Sequence, residues 1–151
     1  MERSKMLKSL ACDNLFGMHN IRIGATEENR LLVTEDVAIA FLELPEARVL
    51  STPNMILHME QTCRNLVLPF LEPGHDTVGT HVNVFHRAAA PVGSLVTFTS
   101  EITAVDDRRV LFRVAARTED DELIGEGTHE RTIINITKFA SRLAERRRAK
   151  V

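Results

Sequence analysis

Thr52-Pro53-Asn54-Met55-Ile56-Leu57-His58-Met59-Glu60-Gln61-Thr62-Cys63-Arg64-Asn65-Leu66-Val67-Leu68-Pro69 is the stretch that decides the fold. Thr52 is a residue type that caps helices, and Pro53 follows where proline is favoured, at the first helical position. The spacing predicts a helix from Asn54 to about Leu68, ended by Pro69 and Pro73-Gly74. At about 100° per residue, Met55, Met59, Leu66, Phe70, Cys63, Ile56 and Val67 fill one arc. Leu57 and Leu68 widen it, and Glu60 falls inside it. A helix apolar so far round needs other elements wrapped about it.

The wrapping is supplied downstream. Thr77–Phe85, Leu95–Val105, Arg109–Arg117 and Leu123–Ile136 read as four strands, with Asp106-Asp107-Arg108 turning the second into the third. Strand parity places Val78, Val82, Val84 and His86 on one face. A basic helix, Lys138 to Lys150, follows, and residues 138–151 form a basic C-terminal segment. Upstream, Arg30–Thr34 is the best strand candidate, residues 36–48 read equally as helix or strand, and residues 1–13 as a loose terminus or short amphipathic helix. One long apolar helix against a meander of strands is an α+β arrangement. A chain of 151 residues fits a single domain spanning 1–151.

Composition narrows the function. The chain is 44% apolar and 26% charged, with a net charge of −2, an ordinary globular profile. The balanced charge and the lack of Trp and Tyr speak against a nucleic-acid partner. No apolar run reaches the ~18 residues of a membrane span. Two cysteines, Cys12 and Cys63, make no disulfide framework and suit a reducing, cytoplasmic setting. Ser9-Leu10-Ala11-Cys12 faintly resembles a lipidation site, but Lys5 and Lys8 interrupt it.

Three residues stand out. Glu60 either pairs with Arg64 one turn on or, desolvated in the arc, serves as a base or nucleophile. Thr52 is a helix cap, or its hydroxyl and the helix terminus polarise a carbonyl. His86 ends a strand as a structural residue or a proton carrier. His81 and His86 differ in parity and do not form a metal pair; no zinc spacing, phosphate loop or Gly-x-Ser-x-Gly elbow is present, so no metal and no cofactor is expected. His129 and Arg131 share a face and fit an anion or surface acids. Arg146-Arg147-Arg148 reads as a solvated helix end.

Combined with Val78-Gly79-Thr80-His81-Val82, His86-Arg87-Ala88-Ala89-Ala90-Pro91-Val92-Gly93 and Gly125-Glu126-Gly127-Thr128-His129-Glu130-Arg131, the helix string resembles the fluoroacetyl-CoA thioesterase-like family of hot-dog-fold thioesterases. The resemblance spans roughly residues 40 to 142. It implies a hot-dog fold, a long central helix wrapped by a curved antiparallel sheet, in a homodimer with the active site near the interface. It implies Thr52, Glu60 and His86 as the catalytic group, Gly79 beside the acyl group and Arg131 near the substrate. The substrate implied is an acyl-CoA, with coenzyme A as part of it. Where the family's fluoroacetyl-specific enzyme has a lid of two phenylalanines, Phe41 matches one and Leu44 stands in the place of the other. That departure implies a broader short-chain or aryl acyl group. Two rival readings are a non-catalytic acyl-CoA sensor and a hot-dog hydratase or dehydratase.

One spacing constrains any mechanism. Thr52 and Glu60 are eight residues apart, about 12 Å along an ideal helix. The substrate or His86 must bridge them, or the first turn must be irregular.

Overall fold

A computed structural model describes residues 18–150. The expectations for residues 1–13, and Cys12 with them, lie outside the described residues. Five strands, β1 (Thr26–Leu32), β2 (His75–His86), β3 (Leu95–Asp106), β4 (Arg109–Thr118) and β5 (Leu123–Asn135), form one antiparallel sheet in the order β1-β3-β4-β5-β2. Helix α1 (Thr52–Val67) lies across one face, and α2 (Ile136–Arg148) follows β5. This is the α+β arrangement expected.

The core is the seam between α1 and the sheet. Met55, Met59, Cys63, Leu66 and Val67 are buried, facing Phe98, Ile102, Phe112, Val114 and Ile133. Each such side chain contributes about 1.5–3 kcal/mol by leaving water. β4, and β3 as far as Ile102, alternate buried residues with half-buried or exposed ones, as strands with one covered face must. Leu57 on α1 and Leu68, which caps its C-terminus, are 46% and 36% exposed and mark the uncovered side.

Four expectations are corrected. The cap of α1 is Ser51, not Thr52: the Ser51 hydroxyl accepts a bond from the Asn54 backbone N–H at 3.2 Å, and the helix starts at Thr52. The first strand runs from Thr26 to Leu32 rather than 30–34, because it pairs in register from Glu101 down to Leu95 of β3. Residues 36–48 make neither helix nor strand; short 3₁₀ turns at Glu35–Val37 and Pro45–Ala47 flank an exposed segment. The last helix begins at Ile136, because the Asn135 side chain caps it by accepting from the Lys138 N–H at 3.1 Å.

A bulge in β2 also alters the parity. Gly79 pairs with Arg131, but His81 pairs with Glu130, so Thr80 is the extra residue. Val78 therefore lies on the opposite face from Val82, Val84 and His86, while Thr77 and Gly79 join their face. Opposite them on β5 stand Ile133, Arg131, His129, Gly127 and Gly125.

Candidate active site

The helix side of β2 and β5, together with α1, collects the chemistry in two clusters. The first lies at the start of α1. Thr52, freed from capping, places its Oγ1 2.8 Å from Nδ1 of His86, at the end of β2. The first helical turn is regular, with the Met55 N–H donating to Ser51 O at 2.9 Å. An open groove of about 410 Å³ beside them is lined by Val49, Thr52, His86, Arg87, Ala88 and Ala89. Nε2 of His86 is buried and has no partner among the described residues.

The second cluster surrounds Glu60, two turns further along. Its carboxylate does not pair with Arg64. Arg64 instead holds Asp76, at 2.9 Å and 2.5 Å, and this bond keeps the Asp76 carboxyl below its usual range. Glu60 meets Arg131 across the helix–sheet seam, with Nη1 3.7 Å from Oε2. Its side chain retains 36% exposure, so the enclosure expected from the helical arc is incomplete within one chain. Gly79 explains the open side: a Cβ there would stand 3.2 Å from Glu60 Oε1. With glycine that oxygen keeps its place; a larger residue would push it back by a few tenths of an ångström.

Arg131 and His129 are not surface groups awaiting an anion. They are 5% and 2% exposed. Arg131 donates to Thr77 Oγ1 at 2.8 Å and to Thr77 O at 3.0 Å, and its Nη1 lies 3.2 Å from His129 Nε2. Burial lowers the pKa of both, and the nearby Glu60 charge opposes that shift. Arg131 is thus committed to the carboxylate side of the site and has little surface left for a coenzyme phosphate. Cys63 is inert as a nucleophile, because burial pushes its thiol up to about 12.

The two clusters do not meet within the chain. Thr52 and Glu60 sit on one regular helix about 12 Å apart along its axis. His86 bonds Thr52 but makes no hydrogen bond to Glu60 among the described residues, so of the alternatives the spacing left open a bridge by His86 within one chain is absent. Phe41 and Leu44 project from the segment between the 3₁₀ turns, 77% and 66% exposed. Sequence reasoning missed Thr77, the anchor of Arg131, because the parity count ran through the bulge. It missed Arg87, which lines the groove while its guanidinium pairs with Glu126 at 3.2 Å and lies over the Phe85 ring, because one arginine in a loop carries no pattern.

Comparison with known proteins agrees with this geometry. The family described as fluoroacetyl-CoA-specific thioesterase matches residues 33–137. A fluoroacetyl-CoA thioesterase of Streptantibioticus cattleyicolor is 42% identical over 106 residues, covering 70% of this chain and 74% of that protein. The solved structure of the fluoroacetyl-CoA thioesterase FlK is 36% identical, with a TM-score of 0.74 over 82% of this chain and 96% of its own. A hot-dog-like protein from Thermanaerovibrio acidaminovorans, 22% identical, shares the fold at a TM-score of 0.76, with 83% of this chain and 93% of that one covered.

Proposed function

Because this chain belongs to the fluoroacetyl-CoA-specific thioesterase family and is an acyl-CoA thioester hydrolase with a hot-dog fold, we propose that its active site is completed only in a homodimer. The observation that carries this is the separation of Thr52–His86 from Glu60–Arg131 along the helix side of a free sheet edge. β2 is that edge. It leaves Val82 39% and Phe85 54% exposed, one on each face. An edge strand of this length, open on one side among the described residues, is a template for another strand. In a two-fold antiparallel pairing of β2 with its copy, centred on Asn83 and with Thr80 bulged out as it is against β5, Gly79 lies opposite the partner's His86. Residues directly opposed in such a pair point to the same face. The Glu60 cluster of one protomer then adjoins the Thr52–His86 cluster of the other. The unpaired, buried Nε2 of His86 fits a group that needs the substrate to complete it.

In this site the thioester carbonyl lies between the two clusters. The Thr52 hydroxyl and the start of α1 stabilise the oxyanion of the tetrahedral intermediate. Glu60, oriented through Oε2 by Arg131, uses Oε1 either to take a proton from the attacking water or to attack the carbonyl carbon itself. When the C–S bond breaks, the departing thiolate takes a proton from His86 and coenzyme A leaves; where water attacked, the acid leaves with it, and where Glu60 attacked, water then hydrolyses the Glu60–acyl anhydride, which releases the acid and restores the carboxylate. The side chains carry the chemistry without a cofactor. Gly79 lines the acyl end, and Phe41 and Leu44 close over it. Leu44 in place of an aromatic side chain favours a small acyl group over a strictly fluorinated one. Arg87 beside the groove is better placed than Arg131 for a coenzyme phosphate. No described helix is long and apolar enough to cross a membrane, and the free Cys63 thiol suits a reducing, cytoplasmic setting.

The test is thiol release from acetyl-, fluoroacetyl-, branched-, aryl- and longer-chain coenzyme A esters by wild type, Glu60→Ala and His86→Ala. Each variant alone should be inactive. Mixed dimers of the two should regain turnover, because one of their two sites is wild type. Folded variants that stay inactive when mixed would refute the shared site. Binding of coenzyme A esters without turnover by wild type would refute the catalytic assignment.

A further inference from the structure

His129 is the one histidine whose protonation state the geometry fixes on both sides. Its Nδ1 lies 2.8 Å from the backbone carbonyl of His81, across the sheet. A carbonyl oxygen only accepts, so Nδ1 carries the proton. Its Nε2 lies 3.2 Å from Nη1 of Arg131. A guanidinium only donates, so Nε2 is the acceptor. The ring is therefore neutral and held in one tautomer. Phe112 of β4 packs on it, with ring centroids 6.2 Å apart.

The consequence passes to Arg131. Thr77 grips one edge of the guanidinium, through Nε to Oγ1 and Nη2 to the carbonyl. His129 grips the other edge at Nη1, the same nitrogen that reaches Oε2 of Glu60 at 3.7 Å and Glu60 O at 3.5 Å. Nη1 is thus held between a neutral acceptor and the carboxylate. A proton on Nε2 would remove the acceptor and set a second positive charge against Arg131. The groups facing the ring are Arg131 on β5, Glu60 on α1 and His81 on β2, while β4 presents the uncharged Phe112. Burial opposes that proton most, joined by the Arg131 charge and the His81 side chain, while the His81 carbonyl and the Glu60 carboxylate favour it.

We propose that His129 is a positioning residue for thioester hydrolysis: as the Nδ1–H tautomer it fixes Arg131 between itself and Thr77, and so aims the Glu60 carboxylate. The inference rests on Glu60 as the reacting carboxylate. It gives the histidine a role through Arg131, with no contact to substrate.

His129→Leu keeps the bulk and removes the acceptor. His129→Gln keeps an acceptor that cannot be protonated. Leu should lower kcat about 10-fold or more with KM changed by less than about 3-fold, as expected for a misaimed group. Gln should keep kcat within about 3-fold of wild type near neutral pH and extend activity to lower pH, because one of the protonations that disable the site is gone. ¹⁵N shifts of the wild-type ring should show the Nδ1–H tautomer across that range. Wild-type kcat in a folded His129→Leu enzyme, a Gln variant as impaired as Leu, or an Nε2–H tautomer would each overturn the proposal. Should Leu not fold, Gln and the tautomer decide. Turnover by Glu60→Gln would overturn the reading beneath it, whereas an inactive Glu60→Gln beside a fully active His129→Leu would overturn the positioning role alone.

Discussion

Gly79→Ala separates aim from stability at this site. The added Cβ would stand 3.2 Å from Glu60 Oε1 and 3.2 Å from His129 Cε1, where ordinary contacts begin near 3.4 Å. These nearest neighbours are side-chain atoms and not backbone. The strand absorbs the methyl, and the carboxylate retreats by a few tenths of an ångström. A 1 Å misplacement costs about 10²-fold in rate, so this shift should cost on the order of 3–10-fold in kcat. Stability should hold or rise by about 0.4–1 kcal/mol, because alanine narrows the unfolded ensemble. Thiol-release kinetics on the best ester, beside a thermal melt, read both quantities. Wild-type kcat at an unchanged melting temperature would show that Oε1 does not need its present place. A lower melting temperature with full kcat would show that Gly79 serves packing and not the carboxylate.

Three further outcomes are expected. Ser51→Ala should cost about 1 kcal/mol of stability through the lost cap, whereas Thr52→Ala should cost under about 0.5 kcal/mol and reduce kcat about 10²-fold; melts and kinetics on the pair check the reassigned cap. Gly127→Ala drives a Cβ into the Asn83 carbonyl and the Val84 backbone on the neighbouring strand, so it should cost about 3 kcal/mol or more, read by denaturant titration. Arg64 holds the Asp76 pKa down, so the folded state releases that proton more readily than the unfolded one. The pair's stabilisation is complete above the unfolded value, near pH 4, and is lost as pH falls through the folded one. Asp76→Asn should therefore flatten the acid side of a stability–pH curve, and a curve as steep as wild type would exclude the pair as its cause.

Much of the fold was legible because its signals are local. The arc from Met55 to Val67 repeats every turn, and alternation along β3 and β4 repeats every second residue. The helix cap was misplaced by one residue because Ser51 and Thr52 are both capping types and only the backbone chooses between them. The site was legible as residue types and not as an arrangement. Glu60 stood out inside the arc, but its natural partner by spacing was Arg64. The observed partner, Arg131, lies 71 residues away by way of β5. Thr80 bears no mark of a bulge, yet it decides that Gly79 and His86 share a face. Pairings between distant segments, and single-residue shifts of register, are what a periodic pattern leaves open.

The placement of β2 at the sheet edge also governs when the enzyme comes into being. Among the described residues β2 pairs with no strand except β5, and the Arg131–Thr77 bond joins residues 54 apart. During synthesis β1, α1, β3 and β4 emerge able to pair or pack, while β2, already made, has no neighbour to close on. Contacts of such long sequence separation form late. Until then the strand that carries Gly79 and His86 is an unsheltered, partly apolar ribbon, a candidate for chaperone capture or faulty pairing. A nascent chain cut short before β5 therefore has no catalytic centre, however well its helix has formed.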